Sequence, residues 1–574
     1  MGLGRQAQGA HFISHTFATM CLDWSICALL SICFFPQNFE KTSRKISSAV
    51  FSLFFAAYLA ICLNQPFFFL AFQSLPFSIS DLWLITVFGL LFVAAVYFTL
   101  QQLYFPLLIK FASLVFSLIA ATAFYYNYNY GTIINTDMMN NILATDYAEA
   151  RELISVSAFT EISFLLFPAV CSCFYFVIKK ASVLSFSLSS GVSLIALVSL
   201  IGLNFQGIAS YIRSEPISRN LISPANVIGS AARAIFSSPR ASEKRVRKIV
   251  DPAPKLVDFD QRKKGVLFVV VVGETARLAN WGLNGYHRDT TPQLKNRGVF
   301  SFDKTTSCGT STEVSLPCMF SRIGRRDYDR KRILREESLL PLLQRAGVNV
   351  YWIDNQSGSK GVSDGVENLK IQKKEIGALC SGSRCYDEAL LAGLNVHKVI
   401  NPKQVNVIFM HQIGSHGPAY FRRYPPEFEK FKPACKNEKL QNCSKESIIN
   451  AYDNSILYSD HFLSGVIDWL KGLTGMDTGL LYVSDHGESL GENNLYLHGA
   501  PEFIAPSVQK EVPMFLWLSN GLEKRIGLDK ACFKEETGKE KSHDNIYSSL
   551  LGILGVESKT YDKELDFSYR CRKL

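Results

Sequence analysis

Charge is nearly absent from a long stretch at the front of this 574-residue chain: between Ile46 and Ile212 only ten of 167 positions are Asp, Glu, Lys or Arg. They are Asp81, Lys110, Asp137, Asp146, Glu149, Arg151, Glu152, Glu161, Lys179 and Lys180. That scarcity excludes a water-soluble domain there. Beyond Arg213 other things are missing. No Cys-x-x-Cys pair occurs, which weighs against a thiolate zinc site. Neither an internal repeat nor a low-complexity tract is present, which removes a solenoid and a disordered tail.

What fills the charge-poor region is hydrocarbon. Five stretches, near 49 to 71, 82 to 104, 105 to 126, 157 to 178 and 182 to 204, each supply the roughly 20 helical residues that cross a bilayer. Arg44 and Lys45 precede the first, Lys110 lies near the turn between the second and third, and Lys179 with Lys180 joins the fourth to the fifth. Positive loops stay in the cytoplasm, so these mark the inside. The loops 72 to 81 and 127 to 156 then face out, as does everything beyond Asn204. Residues 17 to 35 are also apolar but carry Asp23; they read as a sixth span, a signal-like stretch or an extension without a structural role.

Basic and acidic residues cancel up to residue 212, so the net charge of +10 belongs to the remainder. A basic domain beside a membrane suits an anionic lipid surface; scattered as it is, without one long run, the charge is equally an ordinary basic isoelectric point. Of the fourteen cysteines, six lie in apolar segments as small hydrophobes and eight lie in the outer part. Among the eight, Cys308 is near Cys318, Cys380 near Cys385 and Cys435 near Cys443, leaving Cys532 and Cys571. Even numbers and short spacings outside a membrane read as disulfides.

Residues 213–264, rich in Ser, Pro and basic side chains, read as a bridge with an interfacial helix around Ala225 to Phe236. Then GVLFVVVVG (265–273) has the β-branched content of a strand buried on both faces. Similar runs at 347–354, 404–412, 479–485 and 512–518 are separated by helix-length segments, which predicts an α/β sandwich with a largely parallel sheet. In such sheets ligands bind beyond the carboxyl ends of the strands. Those ends carry Glu274, Asp354, His411 and Asp485-His486. One such acid is more often an N-cap or salt-bridge partner; several converging on one edge suggest an oxygen and nitrogen cage for zinc. Thr312, in a Ser/Thr-rich turn between Cys308 and Cys318, is a nucleophile candidate if the turn opens a helix whose N–H groups meet phosphate oxygens. It is an ordinary N-cap turn otherwise.

VVGETAR (271–277), NGYHRDTTP (284–292), TSCGTST with PCMFS (306–321), HQIGSHGPAYFRRYP (411–425), AYDN (451–454) and SDHGESLGENNLYLHGAP (484–501) resemble, in this order, the blocks of the lipid A phosphoethanolamine transferases. That family includes the mobile colistin-resistance enzymes and belongs to the alkaline phosphatase superfamily. The match runs from about residue 46 to 560. The resemblance implies residues 1–45 as an extension, a transmembrane helical bundle over 46–212, the bridge 213–264, and a periplasmic alkaline-phosphatase-like α/β/α sandwich over 265–574, in the inner membrane.

It further implies that zinc is held by Glu274, Thr312, Asp485 and His486, and that Thr312 is the nucleophile that carries phosphoethanolamine. Ser357, Lys360, His411, His416 and His498 would line the phosphate and headgroup pocket, with a second zinc on some of the histidines. The donor would be phosphatidylethanolamine, the leaving group diacylglycerol and the acceptor lipid A of lipopolysaccharide, or else a core sugar or a surface protein. Membrane lipids are then the expected partners of a monomeric chain, with no nucleic acid. Asn141, Thr145 and Glu149 fall at i, i+4 and i+8, which is an ordinary polar helix face or a grip on the donor's ammonium; they match the positions the family uses for the latter. Two departures stand out: Glu313 after the nucleophile, where a small residue is expected, and Gln356, where Asn or Asp is usual.

Overall fold

The computed structural model describes residues 44–75, 78–145, 150, 155–237, 247–257, 264–371, 376–381 and 384–573. The apolar segment 17–35 and Glu149 lie outside them. The chain divides into two compact units, one of Met1–Met139 with Ile154–Ser237 and one of Asn140–Leu153 with Ser238–Leu574.

In the first unit the expected opening span is broken. Helices α1 (Ser48–Leu63) and α2 (Gln65–Ser74) meet at Asn64 with a bend of 57°. Pro66 stands in the first turn of α2, where it has no N–H to donate and its ring crowds the preceding turn, so one continuous ladder cannot form. The buried Asn64 amide covers the break: Nδ2 donates to the Leu59 and Ser223 carbonyls at 2.9 and 2.8 Å, and Oδ1 accepts the Ser223 N–H at 2.8 Å.

Then come α3 (Ile79–Gln101), α4 (Pro106–Tyr130), the short α5 (Thr136–Ala144), which from Asn140 onward belongs to the second unit, α6 (Val156–Tyr175) and α7 (Val183–Leu203). All of these but α5 are long and apolar enough to cross a membrane, and the bent pair α1–α2 counts as a fifth span by composition. Helices α8 (Phe205–Ser214) and α9 (Ala225–Ser237) follow, the second where an interfacial helix is expected.

Helix α6 stops at Tyr175, three residues short of the expected end. Strand β1 (Arg44–Ser47) pairs in parallel with β2 (Phe176–Lys179), Arg44 opposite Phe176 and Ser47 opposite Lys179. Val177 and Ile178 are β-branched and suit a strand better than a last helical turn. The pairing brings the start of α1 and the end of α6 together. Arg44, Lys45 and Lys179 therefore share one end of the unit.

The second unit is built on β3 (Val266–Gly273), buried at all eight positions. Around it lie β4 (Phe300–Ser301), β5 (Asn349–Asp354), β6 (Glu367–Leu369), β7 (Val405–His411), β8 (Asp477–Ser484) and β9 (Met514–Leu518), in the order β4-β9-β8-β3-β7-β5-β6. From β8 to β6 every neighbour is parallel; β9 runs antiparallel to β8 and β4.

Side chains alternate along a strand, so β3 feeds two cores. Phe268, Val270 and Val272 pack with α11 and α13 through Leu339, Leu343, Leu550 and Leu551; α11 is Leu339–Arg345 and α13 is Asp544–Leu554, while α10 is Thr312–Met319. Leu267, Val269 and Val271 pack on the other face with Tyr452, Ile456 and Leu463 of α12 (Lys445–Gly472). At about 1.5–3 kcal/mol for each fully buried large apolar side chain, these two layers dominate the fold's stability. The unit is an α/β/α sandwich. Its eight cysteines join as Cys308–Cys318, Cys380–Cys385, Cys435–Cys443 and Cys532–Cys571.

Candidate active site

Strand register decides what meets at the sheet edge. His411 is level with Val272 on one side and Asp354 on the other, and Ser484 is level with Gly273. The strands therefore end together, and Glu274, His411 and Asp485-His486 emerge side by side. Leaving β3, the chain turns sharply at Thr275, whose φ of 55° is rare for a β-branched residue. Two buried contacts hold it there: its N–H donates to Asp485 Oδ1 at 3.2 Å, and its carbonyl accepts the Tyr452 hydroxyl at 2.6 Å. The loop after β7 passes so close that a Cβ on Gly414, itself at φ 52°, would lie 2.5 Å from the Glu274 carbonyl oxygen.

Thr312 opens α10 and points into this edge. Its Oγ1 is 3.2 and 3.3 Å from the two Glu274 carboxylate oxygens and 3.3 Å from His486 Nε2. His486 Nε2 is 3.4 Å from Glu274 Oε1 and 3.4 Å from Asp485 Oδ2. Ligand atoms of Glu274, Asp485 and His486 all lie within 4.8 Å of one another. Every one of these side chains is buried. His486 Nδ1 donates to the Gly487 carbonyl at 2.9 Å, which leaves Nε2 facing the cluster. His411 adds a second imidazole: Nδ1 is 3.0 Å from Asp354 Oδ2, and Nε2, 3.7 Å from Glu274 Oε2, has no hydrogen-bond partner.

Two buried carboxylates this close repel each other, and the protonation pattern records it. Burial alone would raise the Glu274 carboxyl, yet the adjacent His411 and His486 rings hold it well below the usual range. Burial first and the Glu274 charge second push Asp485 up to about 6. Burial would lower both imidazoles, but Asp485 and Glu274 raise His486, and Asp354 and Glu274 raise His411, each to about 10. The cluster thus draws positive charge. Asp485 Oδ2, buried and without a hydrogen-bond partner among the described residues, marks where that charge belongs. Two carboxylates, an imidazole whose Nε2 faces inward and a hydroxyl fit a metal cation, and the Asp354–His411 pair is the outer carboxylate–histidine support such sites carry.

Of the other expected residues, His416 and His498 stand beside the cluster, with ring centroids 5.4 Å apart and the His498 ring 4.4 Å from that of His486. Lys360 Nζ donates to Ser357 Oγ at 2.8 Å and to the Ala144 carbonyl at 3.3 Å. Asn141 and Thr145 are half-buried, and the Thr145 hydroxyl donates to the Asn141 carbonyl at 2.8 Å. Glu313 does not enter the metal cluster; its carboxylate accepts from Arg330 Nη2 at 2.7 Å. The Gln356 N–H donates to Asp354 Oδ1 at 2.8 Å, so that residue helps fix the acid behind His411.

Two buried acids escape a reading by strand ends. Glu488 accepts from the Tyr420 hydroxyl at 2.7 Å and lies 2.8 Å from His498 Nδ1, orienting that ring. Asp387 accepts the Ile413 and Gly414 N–H groups at 2.8 and 3.0 Å and so shapes the loop around Glu274. Glu488 lies inside the SDHGES block, two residues past His486, which is a usable signal; Asp387 has none in its local sequence.

A family model described as Phosphoethanolamine transferase EptA/EptB matches residues 90–238, and one described as Sulfatase matches residues 267–556. Phosphoethanolamine transferase EptA of Escherichia coli K12 is 36% identical over 527 residues, covering 90% of this chain and 96% of that one. Phosphatidylethanolamine transferase Mcr-1 of Escherichia coli is 35% identical over 538 residues, covering 91% and 97%. Among solved structures, the integral membrane lipooligosaccharide phosphoethanolamine transferase A of Neisseria meningitidis superposes with a TM-score of 0.86 at 34% identity, over 92% of this chain and 100% of that one.

Proposed function

This chain belongs to the EptA-type lipid A phosphoethanolamine transferases of the alkaline phosphatase superfamily, and from that membership we propose that it moves phosphoethanolamine from phosphatidylethanolamine to lipid A through Thr312. The observation that carries the proposal is the Thr312 hydroxyl held within 3.3 Å of Glu274 and His486 at the start of a helix. Glu274, Asp485, His486 and Thr312 would hold zinc, which suits carboxylate and imidazole donors. When bound, the cation neutralises the buried carboxylates, favours the ionised Thr312 hydroxyl and stabilises charge on phosphoryl oxygens.

Two displacements account for the transfer. In the first, Thr312 Oγ1 forms a bond to the donor phosphorus while the bond to the glycerol oxygen breaks; diacylglycerol leaves with that electron pair and takes up a proton. In the second, a lipid A phosphate oxygen attacks the same phosphorus and Thr312 is released. Helix α10 begins at Thr312 with no side-chain cap from Ser311, so its first N–H groups are placed to meet phosphoryl oxygens. His416 and His498 would flank the reacting group, with His498 held by Glu488. Lys360 and Ser357, with Asn141, Thr145 and Glu149, would take the phosphate and ammonium ends of the donor headgroup. The four disulfides of the second unit support a periplasmic domain on an inner-membrane anchor, because such bonds persist in an oxidising compartment.

The test is purified protein with phosphatidylethanolamine as sole donor. Diacylglycerol release, a phosphoethanolamine adduct on the Thr312 peptide and a lipid A product by mass spectrometry are expected. Release without any adduct would overturn the two-step route. Modification of a core sugar or a surface protein, with lipid A untouched, would move the acceptor.

A further inference from the structure

We propose that His543 is a positioning residue for this transfer, tying both flanks of the Thr312 turn to the end of the strand that delivers Asp485 and His486. The proposal rests on the reading of Thr312 as nucleophile. His543 stands at the start of α13, fully buried, and touches no part of the reacting centre. Its Nδ1 accepts the Cys308 N–H at 3.1 Å and lies 3.2 Å from Ser315 Oγ; its Nε2 donates to the Ser484 carbonyl at 2.9 Å. Cys308 is four residues before Thr312 and Ser315 three after it, while Ser484 is the last residue of β8. The Ser315 hydroxyl also donates to the Asp485 carbonyl, closing the link a second time.

The hydrogen-bond pattern fixes the ring as the neutral Nε2–H form. A backbone N–H can only donate to Nδ1, and a carbonyl can only accept from Nε2. Histidine alone combines an acceptor and a donor on opposite edges of one rigid, uncharged ring; Lys and Arg only donate, and a carboxylate only accepts.

The next residue extends the latch. Asp544 accepts the Arg325 and Arg326 N–H groups, the second at 3.1 Å, where the chain leaves α10. It fits there only because Gly324, at φ 66°, leaves room: a Cβ would stand 2.4 Å from Asp544 Oδ1. The Cys308–Cys318 bond closes the same segment.

Such a latch is needed because Thr312 lies outside the sheet, at the head of an eight-residue helix without a side-chain cap, while Glu274, Asp485 and His486 ride on strand ends. A misplacement of about 1 Å between nucleophile and reacting centre costs on the order of 100-fold in rate. His543 is the direct bridge from the one element to the other.

The experiment compares His543→Ala, His543→Gln and His543→Asn in the full-length protein, following diacylglycerol release, zinc content and thermal melting. A Gln side chain is long enough to place its amide near the Nε2 position and keep the Ser484 bond; an Asn side chain, one methylene shorter, mimics Nδ1 and keeps only the Cys308 bond. We expect Ala to lower kcat about 10- to 100-fold with KM within about twofold and zinc content unchanged, Gln to recover most of the rate, and Asn to recover little. Parental kcat in a folded, zinc-replete Ala variant would overturn the proposal. So would loss of zinc and a KM rise that track the fall in kcat, since that pattern belongs to a merely structural residue. Should Ala fail to fold, Gln and Asn decide: equal rates overturn the latch, and an Asn variant at least tenfold slower than Gln supports it. Failure of the functional reading looks different, because the unsubstituted protein would then release no diacylglycerol at all.

Discussion

Thr312 Oγ1 lies 3.2 Å from Glu274 Oε2, although the two residues belong to a helix start and a strand end 38 positions apart. A threonine serving only as a cap would aim its hydroxyl at the backbone of its own helix; this one faces a buried carboxylate and an imidazole. Thr312→Ala should reduce transfer by about 10⁴-fold or more, the scale of losing a covalent nucleophile, while the loss in stability stays near 1 kcal/mol, the worth of one hydrogen bond. Thr312→Ser keeps an oxygen and should retain measurable activity. Lipid A mass spectrometry with parallel thermal melts reads both, and unchanged modification by the Ala variant removes the nucleophile assignment.

Gly414 presses on the other side of Glu274. Its φ of 52° and the 2.5 Å approach of a notional Cβ to the Glu274 carbonyl leave no room for a methyl group. Gly414→Ala should therefore destabilise the second unit by roughly 2–4 kcal/mol, combining left-handed strain with overpacking, and should lose metal together with activity. A melt within about 0.5 kcal/mol of the parent and intact zinc content would contradict the close approach.

The chemistry of this molecule was more legible in its sequence than its clasps were. Val266–Gly273, apolar at every position, announces a strand buried on both faces, and a parallel sheet sends its ligands to the strand ends; Glu274, His411 and Asp485-His486 follow from that alone. Asp387 and His543 were not readable. Each acts on a segment far away in sequence, the loop after β7 and the Thr312 turn, and no periodicity reports such a contact. The bend at Asn64 was hidden for another reason. Hydropathy averages over the window and is blind to one proline, whereas the helical ladder is not. Likewise Glu313, which stands after the nucleophile where a small residue is expected, turns out to be paired with Arg330, a partner 17 residues on.

Removing the metal should unmask the repulsion the site contains. Two unit charges about 4 Å apart at an effective dielectric near 20 repel by about 4 kcal/mol. Dialysis against a chelator should lower the melting temperature of the protein, and zinc at about 100 times its Kd should restore about 2.7 kcal/mol. Calorimetric scans with and without zinc check this, and superimposable scans would argue against a cation among Glu274, Asp485 and His486.

The Cys308–Cys318 bond should matter more for rate than for stability. A 15-residue loop is worth about 3 kcal/mol by chain entropy, and this loop, with a sequence separation of 10, is shorter. A Cys308→Ser, Cys318→Ser double variant should therefore still fold, yet transfer at least tenfold more slowly because the Thr312 turn loses one restraint. Equal rates for the two proteins would assign the bond to stability alone.

Donor recognition is where the two ends of the chain's chemistry have to meet on one small molecule. A primary ammonium needs a carboxylate and neutral acceptors around it, and Asn141, Thr145 and Glu149 offer that set, although α5 ends at Ala144 and so does not carry the expected helical face on to Thr145. Asn141 lies on α5 one turn before Ala144, whose carbonyl accepts from Lys360 Nζ at 3.3 Å, and Lys360 in turn donates to Ser357 at 2.8 Å. The end of α5 is thus bonded to the residues proposed for the donor phosphate, which places Asn141 near the group that would take the phosphate end of a zwitterionic headgroup. A hydrogen bond to a charged group is worth about 1.5–3 kcal/mol, so Asn141→Ala and Glu149→Gln should each lower transfer from phosphatidylethanolamine by roughly 10- to 150-fold. Zinc content and disulfides should be unchanged, because neither residue belongs to the set proposed to hold zinc. Parental rates in both variants would leave the loop a structural element and confine donor recognition to His416, His498, Ser357 and Lys360.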